Sequence, residues 1–165
     1  MTAPARELDD FETPIYQWFE QIILNTESES WGIDANRSQL RFEYASKEPS
    51  PRVAYLLTVT PDLCNRMGNL HGGCAATLID NLSSTVLASL SRPGRFSLGG
   101  VSRNLKVTYL RPIPEGTEIR VLNEVIHVGQ RLALLKSEIW RTDTNVLCAV
   151  GEHDKVNTDP EPSKI

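Results

Sequence analysis

Cysteine is scarce in this 165-residue sequence, and its distribution excludes two kinds of site. Cys64, Cys74 and Cys148 are odd in number and widely spaced, so they fit neither a disulfide framework nor a CxxC site. No context typical of a catalytic thiol surrounds them, and we interpret them as small apolar side chains. This composition is typical of a reducing compartment.

The sequence also lacks a dominant charge and a long apolar run. Its 17 basic and 21 acidic residues are mixed along the chain and give a net charge of -4, so we expect no nucleic-acid partner. No stretch has the length of a membrane span, and the N-terminus lacks the apolar core of a signal peptide, so we expect no membrane insertion. We therefore expect an intracellular, soluble, cytoplasmic protein. A peroxisomal location stays open because Ser163-Lys164-Ile165 is one aliphatic residue away from Ser-Lys-Leu, and a mitochondrial location stays open as well.

Histidine is rare, and its spacing predicts no metal centre. His71, His127 and His153 lie far apart in the sequence and in no cluster with the spacing of metal ligands. Glu152-His153-Asp154 reads more simply as a solvated strand end. We expect neither a metal nor a cofactor.

Periodicity predicts one α+β domain over residues 1–165. Apolar residues at three- and four-residue spacing predict an amphipathic helix over about 11–25, and an Ala- and Leu-rich segment predicts a central helix over 74–90. Strands are predicted over 52–60, 98–110, 118–128, 131–141 and 146–156. The segment 31–44 is ambiguous, and 157–165 is predicted to be a flexible tail.

Turn residues between the last four strands predict how the sheet is connected. Segments 112–116, 129–130 and 143–145 carry Pro, Gly, Asn or Asp, which favours three consecutive hairpins and an antiparallel meander. A single sheet must then wrap around the long central helix to bury it.

The central helix carries one acidic residue in an unusual setting. At about 100° per residue one face collects the mostly apolar Ala75, Leu78, Leu82, Thr85, Val86 and Ser89. Asp80 projects from the opposite side, among the small residues Gly73, Ala76, Thr77, Ser83 and Ser84 and beside Leu87. A local hydrogen bond toward water is the simpler interpretation of such a residue. A poorly solvated carboxylate, however, is suited to act as a general base.

His71-Gly72-Gly73 stands where a loop becomes this helix. Backbone N–H groups are unpaired at a helix N-terminus, and the helix dipole favours negative charge there. Glycine at position 72 allows a carbonyl group to approach the backbone closely, as an oxyanion site requires. A plain loop-to-helix turn is the alternative interpretation.

The segment NRMGNLHGGCAATLIDNLSS resembles the active-site signature of hotdog-fold thioesterases of the phenylacetate type and the thioesterase superfamily member 2 group. The residues that match in type and spacing are Asn65, Gly68, His71, Gly72, Gly73 and Asp80. Gly100-Val101-Ser102 and the segment 107–112 resemble the family's strand that carries a water-orienting Ser or Thr. The resemblance covers about 52–156.

The resemblance implies a hotdog fold, an antiparallel sheet wrapped around the central helix, and acyl-CoA hydrolysis at a homodimer interface. The Gly72 amide and the Asn65 side chain would polarise the thioester carbonyl, and Asp80 of the facing subunit would activate water or attack directly. Ser102 would orient the water, and His71 would support the loop. Gly73, Asn81 and Arg103 are candidate substrate-binding residues, Arg103 being one of four arginines available for CoA phosphates, with Arg92, Arg95 and Arg111.

We expect a homodimer, and we further expect that two such dimers form a homotetramer. Two alternatives stay open. One is a hotdog dehydratase or hydratase, which would carry a His and an Asp close together on the central helix. The other is a non-catalytic acyl-CoA-binding sensor or scaffold. The sequence leaves the acyl group undecided between aryl-acetyl and medium- or long-chain fatty acyl.

Overall fold

The computed structural model describes residues 6–25 and 40–160. Helix α1 spans Glu12–Trp18 and continues as a π-helical turn over Phe19–Ile23, while helix α2 spans Gly72–Thr85 and continues as a 3₁₀ turn over Val86–Leu90. A further 3₁₀ turn spans Pro61–Leu63. The strands are β1 (Arg41–Ser46), β2 (Arg52–Thr58), β3 (Val101–Tyr109), β4 (Glu118–Val128), β5 (Leu132–Arg141) and β6 (Val146–Val156).

The six strands form one antiparallel sheet in the order β1-β2-β4-β5-β6-β3, and α2 packs against it. The α+β prediction is confirmed. Alternation along β4 turns Ile119, Val121 and Val125 into the core, where they join Leu78 and Leu82 of the helix. The buried face of α2 is wider than its periodicity predicts, because Ile79, Ser83 and Leu87 are buried as well.

The predicted meander is wrong at its first connection. β3 pairs with β6 rather than with β4, so the segment between β3 and β4 crosses from one edge of the sheet to the side of β2. Pro112 and Pro114 have no N–H to donate to a hairpin ladder. Instead, the Leu70 N–H donates to Ile113 O at 2.8 Å, which ties the crossing segment to the loop before α2.

Several boundaries differ from the predicted ones. The central helix begins at Gly72, and the predicted β-strands over 52–60 and 98–110 are shorter, at Arg52–Thr58 and Val101–Tyr109. β1 lies at the end of the ambiguous segment, whose residues 31–39 lie outside the described part of the chain. The start of the predicted tail is tied to the domain, because the Asp159 carboxylate accepts hydrogen bonds from the backbone N–H groups of Ser97 and Leu98.

A buried carboxylate fixes α1 to the sheet. Glu12 is 2% exposed, pairs with Arg6 and accepts a hydrogen bond from the Ala45 N–H at 3.0 Å. The Arg6 guanidinium is the main cause that lowers the pKa of Glu12. This contact attaches α1 to β1 and so orients its far end, which lines the site described below. In the described residues, neither helix has the length and apolar character that a membrane crossing needs.

The closest packing of the helix against the sheet depends on a glycine in β6. A Cβ atom at Gly151 would lie 2.8 Å from Cγ2 of Ile79, a distance that side chains do not adopt. We therefore expect Gly151→Ala to lower the free energy of unfolding by about 1–3 kcal/mol, as overpacking does. Urea denaturation at a fixed protein concentration measures this. Gly129→Ala is the matched control, because its Cβ would have ordinary contacts, the nearest at 3.4 Å. Equal stability of the two variants would contradict the prediction.

Candidate active site

Asp80 and Ser102 lie together, as the sequence predicts. The Ser102 hydroxyl, on β3, donates a hydrogen bond to Asp80 Oδ1 at 2.6 Å. The Asp80 side chain is 40% exposed and opens into a cleft of about 280 Å³. Trp18 and Ile22 of the α1 segment form an apolar wall of this cleft, and Asn81 lies beside Asp80.

His153 belongs to the same cluster, and its interpretation as part of a solvated strand end is wrong. Its side chain is fully buried. Its Nε2 lies 2.9 Å from Ser102 Oγ and 3.2 Å from Asp80 Oδ1, and its Nδ1 lies 2.7 Å from Ser83 Oγ. The signal that could have found it is strand alternation, since His153 shares the inward face of β6 with Gly151.

Burial sets the protonation state of this histidine, and its hydrogen bonds indicate the tautomer. Burial and the neighbouring Lys155 charge lower the pKa of His153 to about 4, so the ring is neutral at pH 7. Ser102 donates to Asp80, and its oxygen is then free to accept from the Nε2–H of His153. Nδ1 is consequently the acceptor for the Ser83 hydroxyl. The hydrogen bond from His153 thus keeps the Ser102 hydroxyl oriented toward Asp80.

A second cleft, of about 380 Å³, lies at the other end of α2 and contains Asn65 and Gly72. Asn65 Oδ1 accepts from the Met67 N–H at 2.9 Å and shapes the loop, which leaves Nδ2 as the part of the side chain available to a ligand. Gly72 is the first residue of α2, where the N–H has no intrahelical acceptor.

His71 and Gly73 build the helix N-terminus. The Gly73 N–H donates to His71 Nδ1 at 2.9 Å, so His71 caps the helix. A Cβ at Gly73 would lie 3.0 Å from that nitrogen and would crowd the capping ring, so the cap itself accounts for glycine at position 73.

Tyr109 is a residue of this second cleft that the sequence reasoning left without a role. Its hydroxyl donates to Gly72 O at 2.7 Å, and a Cβ at Gly72 would lie 3.3 Å from its ring. Glycine at position 72 therefore allows Tyr109 to pack against the start of the helix.

The two clefts do not form one site within a chain. Gly72 and Asp80 are eight residues apart on one helix, which separates their Cα atoms by about 12 Å along the axis. One small chemical group cannot contact both residues. Ser102 and Tyr109 lie toward opposite ends of β3. Ser102 lines the cleft of Asp80, and Tyr109 lines the cleft of Gly72.

The remaining candidates occupy exposed or unreactive positions. Arg103 is 55% exposed and lies 3.8 Å from Asp154, and Arg111 lines the cleft of Gly72. Burial raises the pKa of the Cys74 thiol to about 11, which disfavours the thiolate that a cysteine nucleophile needs. Within residues 6–25 and 40–160, no group of three or more His, Cys, Asp or Glu side chains could hold a metal ion.

Comparison with known proteins gives the family. A family model described as Thioesterase superfamily matches residues 67–148, a range that includes Gly72, Asp80 and Ser102. Acyl-coenzyme A thioesterase 13 of Homo sapiens is 33% identical over 99 residues, 60% of this chain and 68% of the human protein. The mouse protein of the same name is 34% identical over 91 residues, 55% of this chain and 62% of the mouse protein.

The chain belongs to the thioesterase superfamily. The crystal structure of zebra fish thioesterase superfamily member 2 matches it with a TM-score of 0.73 at 26% identity, over 89% of this chain and 97% of that chain. The predicted hotdog fold is therefore confirmed. The match of the family model ends before His153 and Lys155, which the structure adds to the cluster around Asp80.

The neutral, buried His153 predicts a pH dependence of stability. Its pKa is about 4 in the folded state and 6.5 in the unfolded state, so between these values the unfolded chain binds more protons. Stability therefore falls as the pH falls from about 6.5 to about 4, with a slope of up to about 1.4 kcal/mol per pH unit from this residue. Urea denaturation across this range should give a shallower slope for His153→Gln. The exposed His127 supplies the control His127→Gln, and equal slopes for both variants would contradict the prediction.

Proposed function

We propose that this protein is an acyl-CoA thioesterase that hydrolyses an acyl-CoA to the free acid and CoA. The observation that carries the proposal is the hydrogen-bonded array of His153, Ser102 and Asp80 at the mouth of a cleft. Superfamily membership and relatives named acyl-coenzyme A thioesterase 13 support a thioester hydrolase.

Asp80 is the general base in this proposal. It takes a proton from water, and the hydroxide formed attacks the carbonyl carbon. Ser102 donates one hydrogen bond to the carboxylate and can orient the water beside it. The tetrahedral intermediate then expels the CoA thiolate, which receives the proton that Asp80 had accepted. A thiolate is a good leaving group, so the step needs no strong second acid. Direct attack by the Asp80 carboxylate, followed by hydrolysis of the anhydride, is the alternative.

The oxyanion is bound at the start of α2. The Gly72 N–H and Asn65 Nδ2 are donors available at the second cleft, and the helix dipole adds a positive field there. His71 keeps this helix terminus capped and is a supporting residue. Each donor contributes about 10²-fold to the rate by analogy with other oxyanion sites.

A homodimer joins the two clefts. The separation of about 12 Å between Gly72 and Asp80 supports a site in which one chain supplies the oxyanion donors and its partner supplies the base. Among the described residues β3 has one neighbouring strand, β6, and so presents an edge that a second chain can pair with. Antiparallel pairing of two β3 strands brings the Ser102 end of one next to the Tyr109 end of the other. A tetramer is the further step of assembly.

The position of CoA follows from the cleft of Gly72. Arg111 lines this cleft, so its guanidinium is a candidate for the CoA phosphates, with Arg103 of β3 as a second cation. Asn81 lies in the Asp80 cleft and is a candidate contact of the acyl part, whereas Gly73 contributes through the helix cap.

The burial of His153 distinguishes this function from a dehydratase or hydratase. A histidine does lie 3.2 Å from Asp80. It comes from β6 rather than from the helix, it is fully buried, and its ring nitrogens are occupied by serines. It therefore cannot exchange a proton with an acyl chain directly. A binding-only sensor would have no need for the ordered base.

Asp80→Asn should reduce thiol release from acyl-CoA by about 10²-fold or more, because the amide cannot accept a proton from water. The measurement is thiol release from aryl-acyl and C2 to C18 acyl-CoAs by the wild type and the variant. Asp143→Asn is the control, since Asp143 lies in the turn between β5 and β6. An Asp80→Asn protein as active as the wild type would refute the mechanism, and wild type that binds acyl-CoA without turnover would favour the sensor.

Mixing two inactive variants tests whether a site is shared between chains. Asp80→Asn removes the base, and Asn65→Asp keeps the Oδ1 contact of the loop while removing the Nδ2 donor. A dimer of one chain of each kind has one site with both changes and one intact site. Co-expression should therefore restore about a quarter of the wild-type activity, since half of the dimers are mixed and half of their sites are intact. No restoration, with mixed dimers present, would refute the shared site.

A further inference from the structure

Lys155 is a buried charged residue that the proposed hydrolysis has not used. It follows His153 by two residues on the inward face of β6 and is only 5% exposed. It lines the Asp80 cleft, and its Nζ donates to Ser84 Oγ at 2.7 Å. A buried ammonium group is unfavourable unless an opposite charge and hydrogen bonds compensate for its lost hydration. A neutral serine supplies no such charge.

Asp80 is the carboxylate that lines the same cleft as Lys155. Burial lowers the pKa of the Lys155 amine, and the negative charge of Asp80 acts in the opposite direction. The other walls of the cleft bring no charge: the α1 segment contributes Trp18 and Ile22, and the stretch 98–101 before and into β3 contributes only apolar residues and glycines.

The other titratable groups near Asp80 come from β6. His153 is neutral and faces Asp80 with Lys155. Asp154 points to the other face of the strand and lies 3.8 Å from Arg103. The Asp80 carboxylate therefore has Lys155 as its buried cation among the described residues.

Lys155 also acts on the backbone of the base. Ser84 Oγ accepts from Lys155 and donates to the Asp80 carbonyl oxygen at 2.9 Å. His153 and Lys155 thus reach Asp80 in parallel, the first through Ser102 to its carboxylate and the second through Ser84 to its main chain. The Lys155 charge additionally disfavours protonation of His153.

We propose that Lys155 is a positioning residue of this site: its buried ammonium group supplies the positive charge in the cleft of Asp80, and its bond to Ser84 fixes the helix turn that carries Asp80. The proposal rests on the proposed thioester hydrolysis by Asp80. Because this charge lies in the same cleft as the base, its removal should change the pH dependence of hydrolysis and not only its rate.

The test separates charge from hydrogen bonding. Lys155→Gln removes the charge and keeps a donor for Ser84, Lys155→Arg keeps the charge, and Ser84→Ala keeps the charge while removing the link. Lys136→Met on β5 is the control, because Lys136 is 41% exposed and pairs with Glu138 away from the cleft. The readouts are the pH profile of kcat/KM for acyl-CoA hydrolysis and the NMR titration of His153.

In Lys155→Gln, the fall of kcat/KM on the acid side of the pH profile, the acid limb, should move to higher pH by about one unit, as the loss of a nearby opposite charge does. At a pH below the limb, activity then falls about tenfold. The pKa of His153 should rise from about 4 toward its ordinary value in the same variant. Lys155→Arg, Ser84→Ala and Lys136→Met should keep the wild-type limb, and Lys155→Met replaces Lys155→Gln if the latter does not fold.

A Lys155→Gln protein with the wild-type acid limb and an unchanged His153 titration would overturn the proposal. Wild type that hydrolyses no thioester would overturn the proposed function instead. In that case the NMR titration of His153, which needs no substrate, still decides whether the Lys155 charge acts on His153.

Discussion

The register of α2 against β6 is the constraint on which the site depends. Gly151 lets Ile79 approach the strand closely, and the following turn of the helix then meets the next inward residues of β6. Ser83 contacts His153 and Ser84 contacts Lys155, each at 2.7 Å. Rotation of the helix by one residue, about 100°, would break both contacts and remove Asp80 from Ser102. The packing of the core therefore also fixes the position of Asp80.

The cluster around Asp80 places polar groups where apolar ones would stabilise the fold at least as well. Such a network is favourable only when each member has its partner, and serines supply the partners here. Ser83, Ser84 and Ser102 each connect a β6 side chain with Asp80 or with its neighbouring turn. Ser83 and Ser84, two of the small residues near Asp80, are explained by these contacts, since larger side chains there would hold the helix away from the strand.

The sequence predicts the elements and the motif residues well but fails where distant segments meet. Periodicity finds α2 and every strand except β1, and the motif names Asp80 and Ser102, which the structure brings together. His153 was misjudged because its acidic neighbours suggest a solvated strand, although alternation from a glycine that faces the helix indicates burial. The pairing of β3 with β6 was missed because a Pro- and Gly-containing connection has the composition of a hairpin in either topology.

The edge strand β3 connects the fold with the proposed assembly. Its residues Ser102 and Tyr109 contact the two clefts, which one helix keeps too far apart to act on one carbonyl. In the proposed dimer a twofold axis at the middle of this strand would exchange its ends, and so would cover the edge and complete both sites in one step. The exposed Val101 and Tyr109 would then become buried where the clefts join. Catalysis in this view depends on pairing of this strand, so loss of the dimer should abolish activity, whereas an inactive variant can still dimerise.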